Sequence, residues 1–139
     1  MKVALIISTY KSSVALSIIF DAISRQVQLP NEIIIAEDGN DKKTLEVINS
    51  WKNKISSKLI HVYQEDIGFR KALILNKAFQ LSRSDYIIQI DGDCIPNEYF
   101  IYDHIANSKK GFYLYGTRVH ILKKYVPKLL EYYLSLIHI

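Results

Sequence analysis

The stretch YIIQIDGDCIP, residues 86–96, is an apolar run that ends in two carboxylates separated by one glycine. Its length and β-branched residues predict a strand buried on both faces. Open α/β sheets bind their ligands at the C-terminal ends of such strands. Asp91 and Asp93 would repel each other there, and a divalent cation such as Mg²⁺ or Mn²⁺ is the simplest counter-charge. The alternative interpretation is a polar turn, because Asp and Gly are common turn residues.

The rest of the chain alternates between strand patterns and helix patterns. Helical spacing follows each of the first four strands, and Asp41 is placed to cap the second helix. This order predicts an α/β fold with a mostly parallel sheet flanked by helices on both faces, in one domain over residues 1–139. The predicted strands are 2–7, 32–36, 58–63, 86–91 and 112–121, and the predicted helices after the first two are 69–81, 96–108 and 125–139.

Three of these strands end in polar, partly acidic loops. The loops are Ser8-Thr9-Tyr10, Glu37-Asp38-Gly39 and Asp91-Gly92-Asp93. Because the C-terminal ends of parallel strands lie on one edge of a sheet, we expect these side chains to converge. Convergence of three loops is harder to explain by turn chemistry than any one motif alone.

Composition and motifs exclude several classes of protein. The chain has 139 residues, is 49% hydrophobic and 23% charged, and carries a net charge of +4. Its basic residues are scattered, so we expect no nucleic-acid partner. The single Cys94 excludes an internal disulfide. Neither the glycine-rich dinucleotide fingerprint nor a P-loop is present, and the four histidines show no metal-ligand spacing. A nucleotidyltransferase would need a glycine-rich loop after the first strand, and a receiver domain would need an acidic pair there. This chain has Ser8-Thr9-Tyr10 at that place.

Four motifs, taken together, match one family in order and spacing. The chain resembles the N-terminal, nucleotide-sugar-binding half of family 2 glycosyltransferases of the GT-A fold. The resemblance extends from the first residues to about Ile121. The motifs are IISTY at residues 6–10, EDG at 37–39, DIGFRKA at 66–72 with NKA at 76–78, and IDGD at 90–93.

The resemblance implies a site for a nucleotide-sugar donor, most often a UDP-sugar. Tyr10 would lie against the nucleotide base, and Asp38 would accept a hydrogen bond from that base. Arg70 would reach the base or the diphosphate. Further donor contacts would come from Ser8, Thr9 and Gly92.

The resemblance also implies a metal, Mn²⁺ or Mg²⁺, and an inverting reaction. Asp91 would face the ribose and the metal, and Asp93 would be the direct metal ligand. The metal would bridge the two phosphates and stabilise the leaving nucleoside diphosphate. A hydroxyl of a glycan or lipid-linked acceptor would attack the anomeric carbon, with a carboxylate as base.

The chain departs from this family in one respect. Family members continue into an acceptor-binding half that carries the catalytic base, and no residue here matches that base, so a truncated chain is expected. The alternative is therefore a non-catalytic fragment that binds the nucleotide sugar.

The terminal helix would expose an apolar face for a homodimer or for a membrane surface, or would pack on the domain's own sheet. The expected location is the cytoplasm, with the inner face of the membrane as a peripheral site.

Overall fold

A computed structural model describes residues 1–137, with side chains described through Tyr133. Its centre is a four-stranded sheet in the order β3-β2-β1-β4, and all three strand pairs are parallel. The strands are β1 (Val3–Thr9), β2 (Glu32–Glu37), β3 (Lys58–Tyr63) and β4 (Tyr86–Asp91). Parallel strands require crossover connections, and helices supply all three of them.

The helices follow the strands in the predicted order. They are α1 (Ser13–Ser24), α2 (Lys42–Trp51), α3 (Lys71–Leu81), α4 (Phe100–Asn107) and α5 (Val126–Ile137), with a 3₁₀ turn, Lys123–Tyr125, before the last. Asp41 caps α2 as predicted, since its carboxylate accepts a 3.3 Å hydrogen bond from the backbone N–H of Thr44. The fourth helix was expected to open at Pro96, but a turn intervenes and α4 begins at Phe100.

Apolar clusters cover both faces of the sheet, because successive side chains of a strand point to opposite faces. On one face, Leu5 and Ile7 of β1 join a core with Phe20 of α1 and Ile48 of α2. On the other, Ile6, Ile34 and Ala36 of the strands meet Ile74 and Ala78 of α3. Each large aliphatic side chain buried in this way stabilises the fold by about 1.5–3 kcal/mol. The predicted parallel sheet flanked by helices on both faces is confirmed.

Two details of the predicted sheet are wrong. β4 is an edge strand rather than one buried on both faces, and Ile87 remains 37% exposed. Residues 112–121 form neither strand nor helix, and Tyr113 and Tyr115 are each 88% exposed. A strand needs a neighbour for its backbone N–H and C=O groups. Apolar composition predicted a strand in 112–121, but no strand of the described residues pairs with it.

The terminal helix contacts α1 instead of standing free. Tyr133 is buried, and its hydroxyl donates a 2.9 Å hydrogen bond to the backbone carbonyl of Ser17. The predicted exposed apolar face is therefore only partly exposed over the described side chains. Residues 138 and 139, which the prediction placed in this helix, lie outside the described residues. Over residues 1–137, we find no helix with the length and apolarity that crossing a membrane requires.

Candidate functional site

A cleft of about 270 Å³ opens at the C-terminal edge of the sheet. It lies where β1, β2 and β4 end and where α3 begins, so the expected convergence of the three loops is observed. Of the residues predicted for the site, all but Arg70 line it. The lining comprises Ser8, Thr9, Tyr10, Ser12, Ala36, Asp38, Phe69, Lys71, Ile74, Asp91, Gly92 and Asp93.

Strand register brings Ser8 and Asp91 together. The two residues are direct partners in the pairing of β1 with β4, and the hydroxyl of Ser8 donates a 3.2 Å hydrogen bond to Oδ1 of Asp91. The ammonium of Lys71 contacts the same oxygen, and the guanidinium of Arg118 lies 3.7 Å from Oδ2. The hydrogen bond from Lys71 holds the pKa of Asp91 below its usual range, and the partial burial of the carboxylate opposes this effect. Asp91 is therefore held as a carboxylate.

Gly92 permits the close approach of two loops. A Cβ atom at this position would lie 2.5 Å from the backbone oxygen of Ser8 and 3.2 Å from Thr9. Contacts of this kind with backbone atoms cannot be relieved by rotating a side chain. The glycine between the two aspartates is required by packing against the end of β1, where Asp91 is the register partner of Ser8.

Asp38 is buried and joins three segments of the cleft. Its Oδ1 accepts a 2.8 Å hydrogen bond from the side-chain amide of Gln64, and its Oδ2 accepts a 2.7 Å bond from the backbone N–H of Arg70. Its own N–H donates to the backbone oxygen of Thr9 at 3.0 Å. A carboxylate offers about four acceptor positions, so two remain for a ligand in the cleft.

Tyr10 lines the cleft and contacts the loop that follows β3. It is half exposed, and its hydroxyl donates a 3.4 Å hydrogen bond to Asp66. Asp66 also forms a 3.0 Å ion pair with Lys11. The aromatic face of Tyr10 is thus held near the site by contacts outside the cleft lining.

Arg70 is placed differently from the other predicted residues. Its guanidinium donates a 2.6 Å hydrogen bond to the backbone oxygen of Glu65, and the side chain does not belong to the cleft lining. The next residue, Lys71, occupies the cleft instead. Lys71 belongs to the motif at 66–72 but has no predicted role, and the strand predicted over 112–121 gives no reason to expect Arg118 in the site.

A buried polar atom of the lining has no partner in the described part of the chain. The hydroxyl of Thr9 is buried, yet Oγ1 makes no hydrogen bond there. Leaving a buried hydroxyl unsatisfied costs about 1–3 kcal/mol. Such an atom in the wall of a cleft is typical of a surface that a polar ligand completes.

The carboxylates suit a divalent cation that also binds a ligand. Asp93 is exposed, and its contact with a side chain is a 3.5 Å approach from the thiol of Cys94. Among the described residues no three His, Cys, Asp or Glu side chains are grouped as a complete metal site. Mg²⁺ and similar ions are commonly held by one or two carboxylates, with phosphate oxygens and water completing the shell. Asp93 and Asp91 fit that donor set.

Comparison with known proteins identifies the family. The sequence profile of Glycosyl transferase family 2 matches residues 4–133, which is nearly the whole chain. The chain belongs to glycosyl transferase family 2. Among its relatives, a hyaluronan synthase of Pasteurella multocida is 26% identical over 104 residues, or 74% of this chain. A validoxylamine A glucosyltransferase of Streptomyces hygroscopicus subsp. limoneus is 24% identical over 105 residues.

Solved structures show the same fold for this family 2 chain. S. aureus TarS 1-349 in complex with UDP-GlcNAc superimposes with a TM-score of 0.63 at 22% identity, over 76% of this chain and 30% of that TarS fragment. The mannosyltransferase PcManGT of Pyrobaculum calidifontis, in complex with GDP-Man and Mn²⁺, gives 0.65 at 18% identity, over 75% and 31%. These neighbours are GT-A glycosyltransferases, so the GT-A assignment is confirmed.

The chain matches only part of each of these proteins. The matched residues span 10% of the hyaluronan synthase and 23% of the validoxylamine A glucosyltransferase.

Proposed function

We propose that this family 2 chain is a nucleotide-sugar-binding domain, residues 1–139, that holds the donor for a glycosyltransferase reaction. The observation that carries the proposal is the grouping of Tyr10, Asp38, Asp91 and Asp93 in one cleft at the ends of parallel strands. An aromatic face and a buried acceptor suit a nucleobase, and exposed carboxylates suit a metal-bound diphosphate.

The proposed donor is a UDP-sugar. Uracil presents one ring N–H, and the free acceptor positions of Asp38 can receive it. Thr9 would contribute its unpartnered hydroxyl to the same ligand. The solved neighbours include complexes with UDP-GlcNAc and with GDP-Man, so GDP is the competing nucleotide to test.

The proposed cofactor is Mn²⁺ or Mg²⁺, held by Asp93 with Asp91 beside it. When bound, the ion would stabilise the negative charge that develops on the departing nucleoside diphosphate. Residues of the chain set the geometry of this site in the absence of the metal. Ser8 orients Asp91 by a hydrogen bond, and Gly92 allows the carboxylates to approach β1. Arg70, which donates to Glu65 in this structure, would have to turn in order to reach the donor.

The proposed reaction is an inverting transfer to a hydroxyl of a glycan or a lipid-linked acceptor, in the cytoplasm or at the inner face of the membrane. The carboxylates that line the cleft are those of Asp38, Asp91 and Asp93, and we assign each of them to binding of the donor or its metal. None of them is free to act as the base that activates the acceptor. That observation favours, as a second candidate, a domain that binds the nucleotide sugar and does not transfer it.

Thermal unfolding with and without ligand tests the binding step. A ligand at about 100 times its Kd stabilises the folded state by about 2.7 kcal/mol, which corresponds to a rise in midpoint of roughly 5–15 °C. We expect this rise with UDP and Mn²⁺ together, and its loss in Asp93→Asn. Asp103→Asn, an exposed position on α4, is the matched control and should retain it. If neither UDP nor GDP raises the midpoint in the presence of metal, the donor site is refuted.

Incubation with radiolabelled UDP-sugars and oligosaccharide acceptors separates the two candidates. Sugar transfer that the wild-type chain performs and Asp93→Asn does not supports a glycosyltransferase. Binding of UDP with Mn²⁺ in the absence of transfer or donor hydrolysis supports the non-catalytic domain.

A further inference from the structure

The two carboxylates of the Asp-Gly-Asp motif have different counter-charges. Lys71 contacts Oδ1 of Asp91, and Arg118 lies 3.7 Å from its Oδ2. Asp93 forms no ion pair within 4 Å among the described residues, although Arg118 acts on it over a longer distance, and its side-chain contact is the thiol of Cys94 at 3.5 Å. The chain therefore already neutralises one of the two carboxylates that a metal would use.

Lys71 occupies an unfavourable place for a cation. It is the first residue of α3, where unpaired backbone N–H groups and the helix dipole favour negative charge. The ion pair with Asp91 offsets this cost. Its side chain is about a third exposed and lines the cleft, so it can reach another anion there without unfolding the helix.

A metal ion and a diphosphate would act on this pair in opposite ways. A divalent cation that enters alone must compete with the ammonium of Lys71 for Asp91. A diphosphate carries negative charge that can pair with the ammonium of Lys71. The carboxylate of Asp91 is then free to bind the metal. The two ligands should therefore assist each other, and Lys71 adds to the coupling that direct contact between the metal and the diphosphate provides.

We propose that Lys71 is an exchangeable counter-ion of Asp91, which moves to the diphosphate when metal and nucleotide enter the cleft together. Lys71 is in this sense a positioning residue that couples the binding of the two ligands. The inference rests on the proposed function, because it requires a cleft that binds a nucleoside diphosphate with a metal.

Binding of Mn²⁺, followed by the electron paramagnetic resonance signal of the free ion, measures this coupling without any catalysis. Titrations with and without UDP give two affinities for each protein, and protein-free solutions correct for Mn²⁺ bound by UDP itself. We expect UDP to tighten Mn²⁺ binding to the wild-type chain about tenfold, which lies within the usual range of coupling between sites.

Variants of Lys71 distinguish coupling from simple structural support. In Lys71→Met, Mn²⁺ alone should bind several-fold more tightly, and the enhancement by UDP should be several-fold smaller than in wild type, with the remainder due to diphosphate oxygens that bind the ion directly. Lys71→Gln, which keeps a polar side chain, should behave in the same way if the methionine variant folds poorly. Lys71→Arg keeps the charge and should retain the enhancement. Lys43→Met, an exposed position on α2, is the matched control and should match wild type.

Two results would overturn the inference, and they differ from failure of the proposed function. One is an unchanged UDP enhancement in both uncharged variants. The other is a loss of Mn²⁺ affinity in the absence of UDP, which would make Lys71 a structural support of the site. If wild type itself shows no Mn²⁺ binding in the presence of UDP, the proposed function fails, and this inference fails with it.

Discussion

The carboxylate of Asp38 accepts a 2.7 Å hydrogen bond from the backbone N–H of Arg70, 32 residues further along the chain. This bond ties the end of β2 to the first turn of α3. The other oxygen of Asp38 accepts from Gln64, whose side chain in turn contacts the backbone oxygen of Arg70. One buried carboxylate thus fixes the wall of the cleft from which Lys71 extends.

We expect Asp38→Asn to destabilise the fold by about 1–3 kcal/mol and to weaken binding of UDP. The amide would direct an N–H₂ group at either the backbone N–H of Arg70 or the amide of Gln64, so one donor would lose its acceptor. Urea unfolding measures the change. Asp66→Asn is the control, because the Asp66 side chain is 37% exposed in its ion pair, and its loss should cost less than about 1 kcal/mol. Equal costs for the two variants would contradict the prediction.

We expect Gly92→Ala to destabilise the chain by about 1–3 kcal/mol, because the added methyl group would meet the backbone of Ser8 at 2.5 Å. The end of β1 would have to move away from β4, so UDP and Mn²⁺ binding should weaken as well. Gly116→Ala is the matched control, since no described atom lies within 4 Å of its Cβ position. Chemical denaturation of both variants gives the comparison, and a stable Gly92→Ala variant would count against the close approach.

Stability should fall in acid partly through Glu32. Burial raises its pKa, but hydrogen bonds from the Ser84 hydroxyl, the Arg83 backbone and the Ser82 hydroxyl outweigh burial and lower it. A carboxyl with a lowered pKa in the folded state contributes stability above its unfolded pKa, about 4.3, and loses it as the pH falls through the folded value.

Urea midpoints between pH 3 and pH 6 test the contribution of Glu32. Glu32→Gln should be less stable than wild type at pH 6, and the difference should shrink as the pH falls. Exposed Glu46→Gln is the control and should follow the wild-type curve. A constant difference across the range would show that Glu32 acts by packing rather than by charge.

We expect Tyr133→Phe to cost about 0.5–1.5 kcal/mol and to loosen α5. The substitution removes the hydroxyl that donates to the Ser17 carbonyl and keeps the buried ring. Amide hydrogen exchange in residues 126–133 should become faster. Tyr113→Phe, at a position that is 88% exposed, should leave both stability and exchange unchanged. If exchange in α5 is the same in both variants, the helix is not held through Tyr133.

The fold was predictable to the extent that local pattern determines it. The isoleucine-containing strands Val3–Thr9 and Glu32–Glu37 are buried along their whole length, and the intervening helices lie where apolar spacing placed them. The predicted strand at 112–121 failed because strand formation depends on a neighbour, which composition does not reveal. The burial of β4 was overestimated for the same reason, since its position at the edge depends on strand order.

The candidate site was predictable in its members but not in their contacts. Ser8, Asp38 and Asp91 each follow or end a strand, so their meeting at one edge follows from parallel topology. The sequence could not indicate that Asp38 is tied to the backbone of Arg70. Nor could it indicate that Lys71, rather than Arg70, enters the cleft, because the direction of a side chain at a helix start depends on how the helix packs.

The sequence by itself determined the order of the first four strands and their helices, the family and most of the residues that gather at the C-terminal edge, because hydrophobic periodicity and turn chemistry act locally. The tertiary structure alone decided the partner of each charge. Lys71 and Arg118 lie against Asp91, and Asp93 is left without an ion pair among the described residues. Ion pairs depend on distances of a few ångströms between segments far apart in the chain, and only the packed fold sets those distances.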